Sequence, residues 1–74
     1  MTLRRFDKPF AMTHDSEVDA AYIYLRPIAP GGVADTICVD VPHGSVNLSI
    51  DPDGKVIGIE VLSASAVLPE SVLS

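Results

Sequence analysis

From residue 10 onward, hydrophobic and polar positions alternate with a period of two, the repeat of strands that show unlike faces to core and solvent. In Ala21-Tyr22-Ile23-Tyr24-Leu25, Ala21, Ile23 and Leu25 share one side and both tyrosines the other. Aromatic and β-branched residues suit such a pleated surface. Phe10 to His14 reads as a shorter strand before it. Between the two, Asp15-Ser16-Glu17-Val18-Asp19-Ala20 is rich in capping and turn residues. It is expected to form one helical turn, with Asp15 accepting backbone N–H bonds and Glu17 near the positive end.

Pro27 and Pro30-Gly31-Gly32 break the pattern, and Val33 to Val41 resumes it, with Val33, Ile37, Val39 and Val41 on one side. After Pro42-His43-Gly44, the residues Val46, Leu48 and Ile50 alternate with Asn47, Ser49 and Asp51. Asp51-Pro52-Asp53-Gly54 is the strongest turn signal. Asp accepts a backbone bond, Pro presets φ, and Gly takes the left-handed position that closes a hairpin through a bulge. The return strand Lys55 to Leu62 places Ile57, Ile59 and Val61 on one face, with Gly58 and Glu60 on the other. The period of two is lost beyond Leu62, and Pro69-Glu70-Ser71-Val72 reads as the start of a short helix. The fold class expected is therefore α+β and β-rich: a small antiparallel meander of about four to five strands, with a helical turn after strand 1 and a short C-terminal helix. Residues 1–10 are expected to be a flexible arm and residues 11–74 one domain.

Three segments together resemble the DUF2283 family of short, mostly prokaryotic proteins of unknown function. They are His14-Asp15-Ser16-Glu17-Val18-Asp19-Ala20-Ala21-Tyr22-Ile23-Tyr24-Leu25, Gly32-Val33-Ala34-Asp35-Thr36 and Ile50-Asp51-Pro52-Asp53-Gly54-Lys55-Val56-Ile57-Gly58-Ile59-Glu60-Val61-Leu62-Ser63-Ala64-Ser65. Ser16 stands where the family usually has Pro, Pro52 lies inside the turn, and Ser49 replaces an often acidic residue. The resemblance implies a small β-rich fold and no established activity. Its motif residues are Asp15, Glu17, Asp19, Tyr22, Tyr24, Asp51, Asp53, Gly54, Gly58 and Glu60, the binding candidates of this chain.

Composition narrows the classes. In 74 residues there is space for one small core, and a chain this short buries only about 60% of its unfolded surface. Disulfides, metals or a partner usually make up the deficit. One cysteine, Cys38, closes no internal disulfide, and with two histidines it gives no zinc-ligand spacing. Self-association is the support left, and a homodimer is expected, with Tyr22 and Tyr24 facing the second subunit. Cys38 itself reads as a small packing residue. Ten acidic against five basic residues, a net charge of -5, carry the wrong sign for nucleic acid or anionic lipid. The same charge suits a basic protein partner, in an antitoxin-like or accessory role.

No stretch approaches the roughly 18 apolar residues of a membrane span, and Arg4-Arg5 is followed by Asp7-Lys8-Pro9 rather than an export signal's apolar core. A cytoplasmic location is expected, in keeping with an unpaired cysteine.

Candidate chemistry is sparse. Asp15, Glu17 and Asp19 have the 1-3-5 spacing of a calcium loop, but Ala20 stands where its glycine belongs and Arg26 where its bidentate Glu belongs. Turn chemistry explains Asp51 and Asp53. Glu60, inside an apolar strand, either faces water, pairs across strands or turns inward on Arg26, Thr36 or His14. Gly58 weakens a strand and signals a close approach by another group. No nucleophile elbow or phosphate loop accompanies the serines and histidines. The expected function is a non-enzymatic homodimeric binding module with no cofactor, no metal and no catalytic residue. The rival is a small ligand- or metal-binding protein, with hydrolysis among its activities, using Glu60 with Asp15, Asp19 or His14 at a subunit boundary.

Overall fold

The computed structural model describes residues 2–74. Five strands form one antiparallel sheet: β1 (Ala11–Asp15), β2 (Ala20–Tyr24), β3 (Asp35–Val41), β4 (Gly44–Ile50) and β5 (Val56–Leu62). Two single-turn helices follow, α1 (Ala64–Val67) and α2 (Glu70–Leu73). Residues 2–10 have no regular structure and are exposed throughout.

The spatial order is β1-β2-β5-β4-β3, so the sheet is not a simple meander. A β1–β2 hairpin adds to a β3–β4–β5 meander through β2 and β5, and residues 25–34 carry the chain past β5 and β4 to the far edge. That crossing is tied at both ends by backbone bonds, Leu25 N–H to Ile57 O (3.0 Å) and Ala34 N–H to Ile50 O (2.8 Å). The third strand consequently starts at Asp35, two residues later than the alternation suggests.

The helical turn expected after the first strand is absent. Asp15 pairs directly with Ala20, and the four residues between them form a tight hairpin turn. Asp15 does accept the Glu17 N–H (3.0 Å), but Asp19 then adopts a left-handed φ of 53° and turns the chain back. The immediate strand pairing leaves no length for a helical turn. The Asp51–Gly54 turn forms as its residues dictate, with Gly54 at φ 80° and a register shift between Ser49 and Ile50 on one side and Gly58 and Val56 on the other.

Cross-strand partners lie on one face, so the register sorts the side chains. On the inner face Ala21, Val61, Val46 and Val39 form one row and Ile23, Ile59, Leu48 and Ile37 the next. The C-terminal helices lie on this face, where Ala21, Val61 and Ala64 form the buried cluster and Ile59, Val67, Leu68 and Leu73 pack around it. The first helix lies over β5 and β4, with Val67 against Gly44, and leaves β3 uncovered. On β3, Ile37 and Val39 remain 48% and 43% exposed. The buried core is accordingly small, consisting of Ala21, Ile57, Val61 and Ala64. Exposed apolar side chains thus lie on the β3 side of the inner face, at Ile37 and Val39, as well as on the tyrosine face expected to carry them, where Leu62 is 37% exposed. Cys38, expected to be a packing residue, is exposed on β3, because no further strand lies outside it to pack against.

Candidate functional site

The outer face is polar and held together by its own side chains. Register places Tyr22, Glu60, Asn47 and Cys38 in one row and Tyr24, Gly58, Ser49 and Thr36 in the next. Tyr22 reaches diagonally from its own row into the next, and its hydroxyl hydrogen-bonds Ser49 Oγ at 2.6 Å. The ring lies on Gly58. A Cβ at that position would stand 2.6 Å from Tyr22 Cε1 and 2.7 Å from Cζ, so the close approach that a strand glycine signals is made by this tyrosine. Tyr24 packs beside it with ring centroids 4.7 Å apart.

Glu60 is half-buried. Its Oε1 accepts a hydrogen bond from Asn47 Nδ2 (2.9 Å), the residue directly across in β4, rather than from Arg26, Thr36 or His14. An open groove of about 810 Å³ runs along the β1–β2 end, lined among others by His14, Asp15, Glu17, Tyr22 and Glu60.

Asp19 and His14 meet elsewhere, beside the first helix. Asp19 gives both its backbone and its carboxylate to the start of α1. Its carbonyl accepts the Ala64 N–H (2.8 Å), and its carboxylate accepts the Ser65 N–H (3.1 and 3.2 Å) and the Ser65 hydroxyl. Ser63, the local cap residue, is left-handed (φ 55°) and supplies no side-chain bond, so a residue 46 positions earlier in sequence caps the helix instead. His14 Nε2 lies 2.9 Å from the other side of the same carboxylate. The Ser65 and His14 contacts, in that order, hold the Asp19 carboxyl below its ordinary value.

This trio has the residue types of a nucleophilic site in the wrong order. The carboxylate sits between hydroxyl and imidazole, so Ser65 donates to Asp19 and has no bond to a base able to take its proton. The arrangement is a fastener between the β1–β2 hairpin and the C-terminal segment.

Asp51 fastens the opposite end. Its side chain is 6% exposed, and Oδ1 accepts the N–H groups of Asp53 (3.0 Å) and Lys55 (2.9 Å). Oδ2 accepts from Arg26 Nη2 (2.9 Å), which ties the 25–34 crossing to the hairpin turn. Asp53 itself is exposed in that turn.

The candidate residues therefore separate into three groups. Tyr22, Tyr24, Gly58 and Glu60 share the outer face, while Asp51, Asp53 and Gly54 build one turn. Asp15, Glu17 and Asp19 lie on the other hairpin, where Asp15 binds its own turn, Asp19 binds α1, and Asp15 and Glu17 line the groove they share with Tyr22 and Glu60. Glu60 and His14 occupy opposite faces, as their register partners Tyr22 and Ala21 show. Among the described residues no group of three or more His, Cys, Asp or Glu side chains is placed to hold a metal ion. Among the described residues no helix is long and apolar enough to cross a membrane.

Ser49, Asn47 and Ser65 were not singled out by spacing as partners. Asn47 is the partner a strand register would have identified, and Ser65 closes the family-like segment that Asp19 helps open. No curated protein and no solved structure matches this chain. The family described as "Protein of unknown function (DUF2283)" matches residues 11–65, a span that runs from the first residue of β1 to Ser65 and so contains the whole sheet and the Asp19–Ser65 fastener. The chain belongs to the DUF2283 family.

Proposed function

We propose that this chain is a non-enzymatic binding module that works as a homodimer and meets a basic protein partner through its acidic surface. The observation that carries the proposal is the half-covered inner face, with Ile37 and Val39 exposed in line with the buried Val61 and half-buried Ile59. Leaving a contiguous apolar row in water is unfavourable, and a second subunit removes it.

Charge supports the second half of the reading. Residues 11–74 hold nine acidic side chains against Arg26 and Lys55, and Arg26 is already bound to Asp51. The basic residues Arg4, Arg5 and Lys8 all lie in the first ten positions. The folded part therefore carries a stronger negative field than the net charge of -5 suggests, which steers a basic partner toward it. Cys38, an exposed unpaired thiol, suits a reducing cytoplasm. The working unit in this proposal is residues 11–74.

Light scattering tests the dimer. The parent is expected at twice 7.8 kDa, and an Ile37→Glu/Val39→Glu variant at 7.8 kDa with an unchanged circular dichroism spectrum. A parent that stays at the single-chain mass sinks the proposal.

A further inference from the structure

We propose that the dimer forms edge to edge, β3 against β3 of a second copy, antiparallel, with the two-fold axis at Cys38. The assignment rests on the homodimeric reading above and adds its geometry.

β3 is the terminal strand of the sheet and pairs with β4 alone, so one row of its backbone N–H and C=O groups faces no strand among the described residues; Asp35 Oδ1 accepts the Thr36 N–H (2.8 Å) at the start of the strand. Natural edges are usually blunted by lysine, proline, a bulge or great shortness. Between Asp35 and Val41 there are seven residues with no lysine, no proline and a continuous register to β4, and the two charges, Asp35 and Asp40, flank the uncharged stretch from Thr36 to Val39. The opposite edge is different. β1 has five residues, is preceded by Lys8-Pro9, and its His14 is held by Asp19.

A second copy is the occupant that β3 itself selects. Antiparallel pairing about Cys38 sets Ile37 against Val39 of the other copy, twice, on the inner face. The four exposed apolar side chains then form one patch continuous with both cores. On the outer face it sets each Thr36 hydroxyl, a donor, against an Asp40 carboxylate, an acceptor. Asp35 meets Val41 at the ends, so no two carboxylates stand opposite each other.

Other registers that keep like faces together do worse. Centring on Ile37 sets Asp35 against Val39 inside the apolar patch, and centring on Val39 brings Pro42 into the ladder, where it has no N–H to donate. Cys38 alone pairs all seven residues.

Directly opposed residues in an antiparallel pair have Cα atoms roughly 4.5–5.5 Å apart, within the 4.4–6.8 Å span that a disulfide bridges. The two Cys38 thiols are therefore a built-in reporter of this register. Two copies of Thr36 would instead be about 13 Å apart along the strand, beyond that reach. The parent and a Thr36→Cys/Cys38→Ser variant are each oxidised with copper phenanthroline at about 100 μM, a concentration suited to a small interface. Their masses are also measured by light scattering without oxidant.

The expected result is a dimer in both, with covalent dimer as the main oxidised product of the parent and only a trace from the variant. A dimer whose Cys38 does not cross-link, or whose two cysteine positions cross-link equally, overturns the β3 register and leaves the homodimer standing. A parent that remains a monomer overturns both.

Discussion

Gly58→Ala adds one methyl group at the most crowded point of the outer face, and the structure sets the size of its effect. The new carbon would lie 2.6–2.7 Å from two ring carbons of Tyr22, against an ordinary contact of about 3.5–4 Å, so the ring must move by about 1 Å. Overpacking of this kind costs about 1–3 kcal/mol. The displaced ring also withdraws its hydroxyl from Ser49, which is 6% exposed, and an unsatisfied buried hydroxyl costs about 1–3 kcal/mol more. Alanine returns roughly 0.5–1 kcal/mol through its lower unfolded-state entropy. The net loss is about 1–5 kcal/mol, at about 4–8 °C in Tm per kcal/mol for a domain of this size.

Urea denaturation followed by circular dichroism measures it, in the parent and in a Tyr22→Ala background. With the ring removed, the same substitution is expected to be neutral or slightly stabilising, and the difference between backgrounds is the coupling between the two positions. A cost below about 0.5 kcal/mol in the parent, or an equal cost in both backgrounds, would refute the argument that Gly58 is reserved for Tyr22.

Three further outcomes follow from the fasteners. Asp51→Ala removes the acceptor of two turn N–H groups and of Arg26, and should cost about 2–3 kcal/mol in urea, whereas Arg26→Ala, whose side chain is 57% exposed, should cost under about 1 kcal/mol. Because the Asp19 carboxyl is held below its ordinary value, its contribution is fully present above the ordinary carboxylate range and is lost as pH falls through the lowered value. The parent should therefore lose stability toward acid more steeply than Asp19→Asn, and parallel pH–stability curves would count against the cap. Ser65→Ala should relax the Asp19 carboxyl toward its ordinary value, read as a titration midpoint moved to higher pH in carbon-detected NMR, more than His14→Ala does.

The strands were legible because their alternation is local. Val46, Leu48, Ile50 and then Ile57, Ile59, Val61 need only a pleat and one hydrophobic side to be placed, and Asp51-Pro52-Asp53-Gly54 closes the hairpin with residues inside the turn. The strand order was not legible. Whether β2 pairs with β3 or β5 depends on the crossing at residues 25–34, and its anchor is the contact of Arg26 with Asp51, 25 positions later.

The same limit governs the candidate site. Gly58 announced a close approach, but only the diagonal reach of Tyr22 shows what makes it. Asp19 resembled one member of a run of acidic turn residues, yet its partner Ser65 is 46 positions away. The turn after β1 misled for a related reason. Asp15 and Glu17 make the first bond of a helical start, and the pairing of Asp15 with Ala20 then closes the hairpin before a turn of helix can form. The tyrosines were expected to face a second subunit, yet Tyr22 completes its hydrogen bonding within the chain, and the exposed Ile37 and Val39 lie on the other face.

That apolar row is what makes a partner necessary to the account, so mass in solution tests it most directly. Sedimentation equilibrium over a concentration series reaching about 100 μM should show a reversible rise from 7.8 kDa to twice that value, abolished by Ile37→Glu/Val39→Glu. A parent chain that fits a single 7.8 kDa species across the series would contradict it.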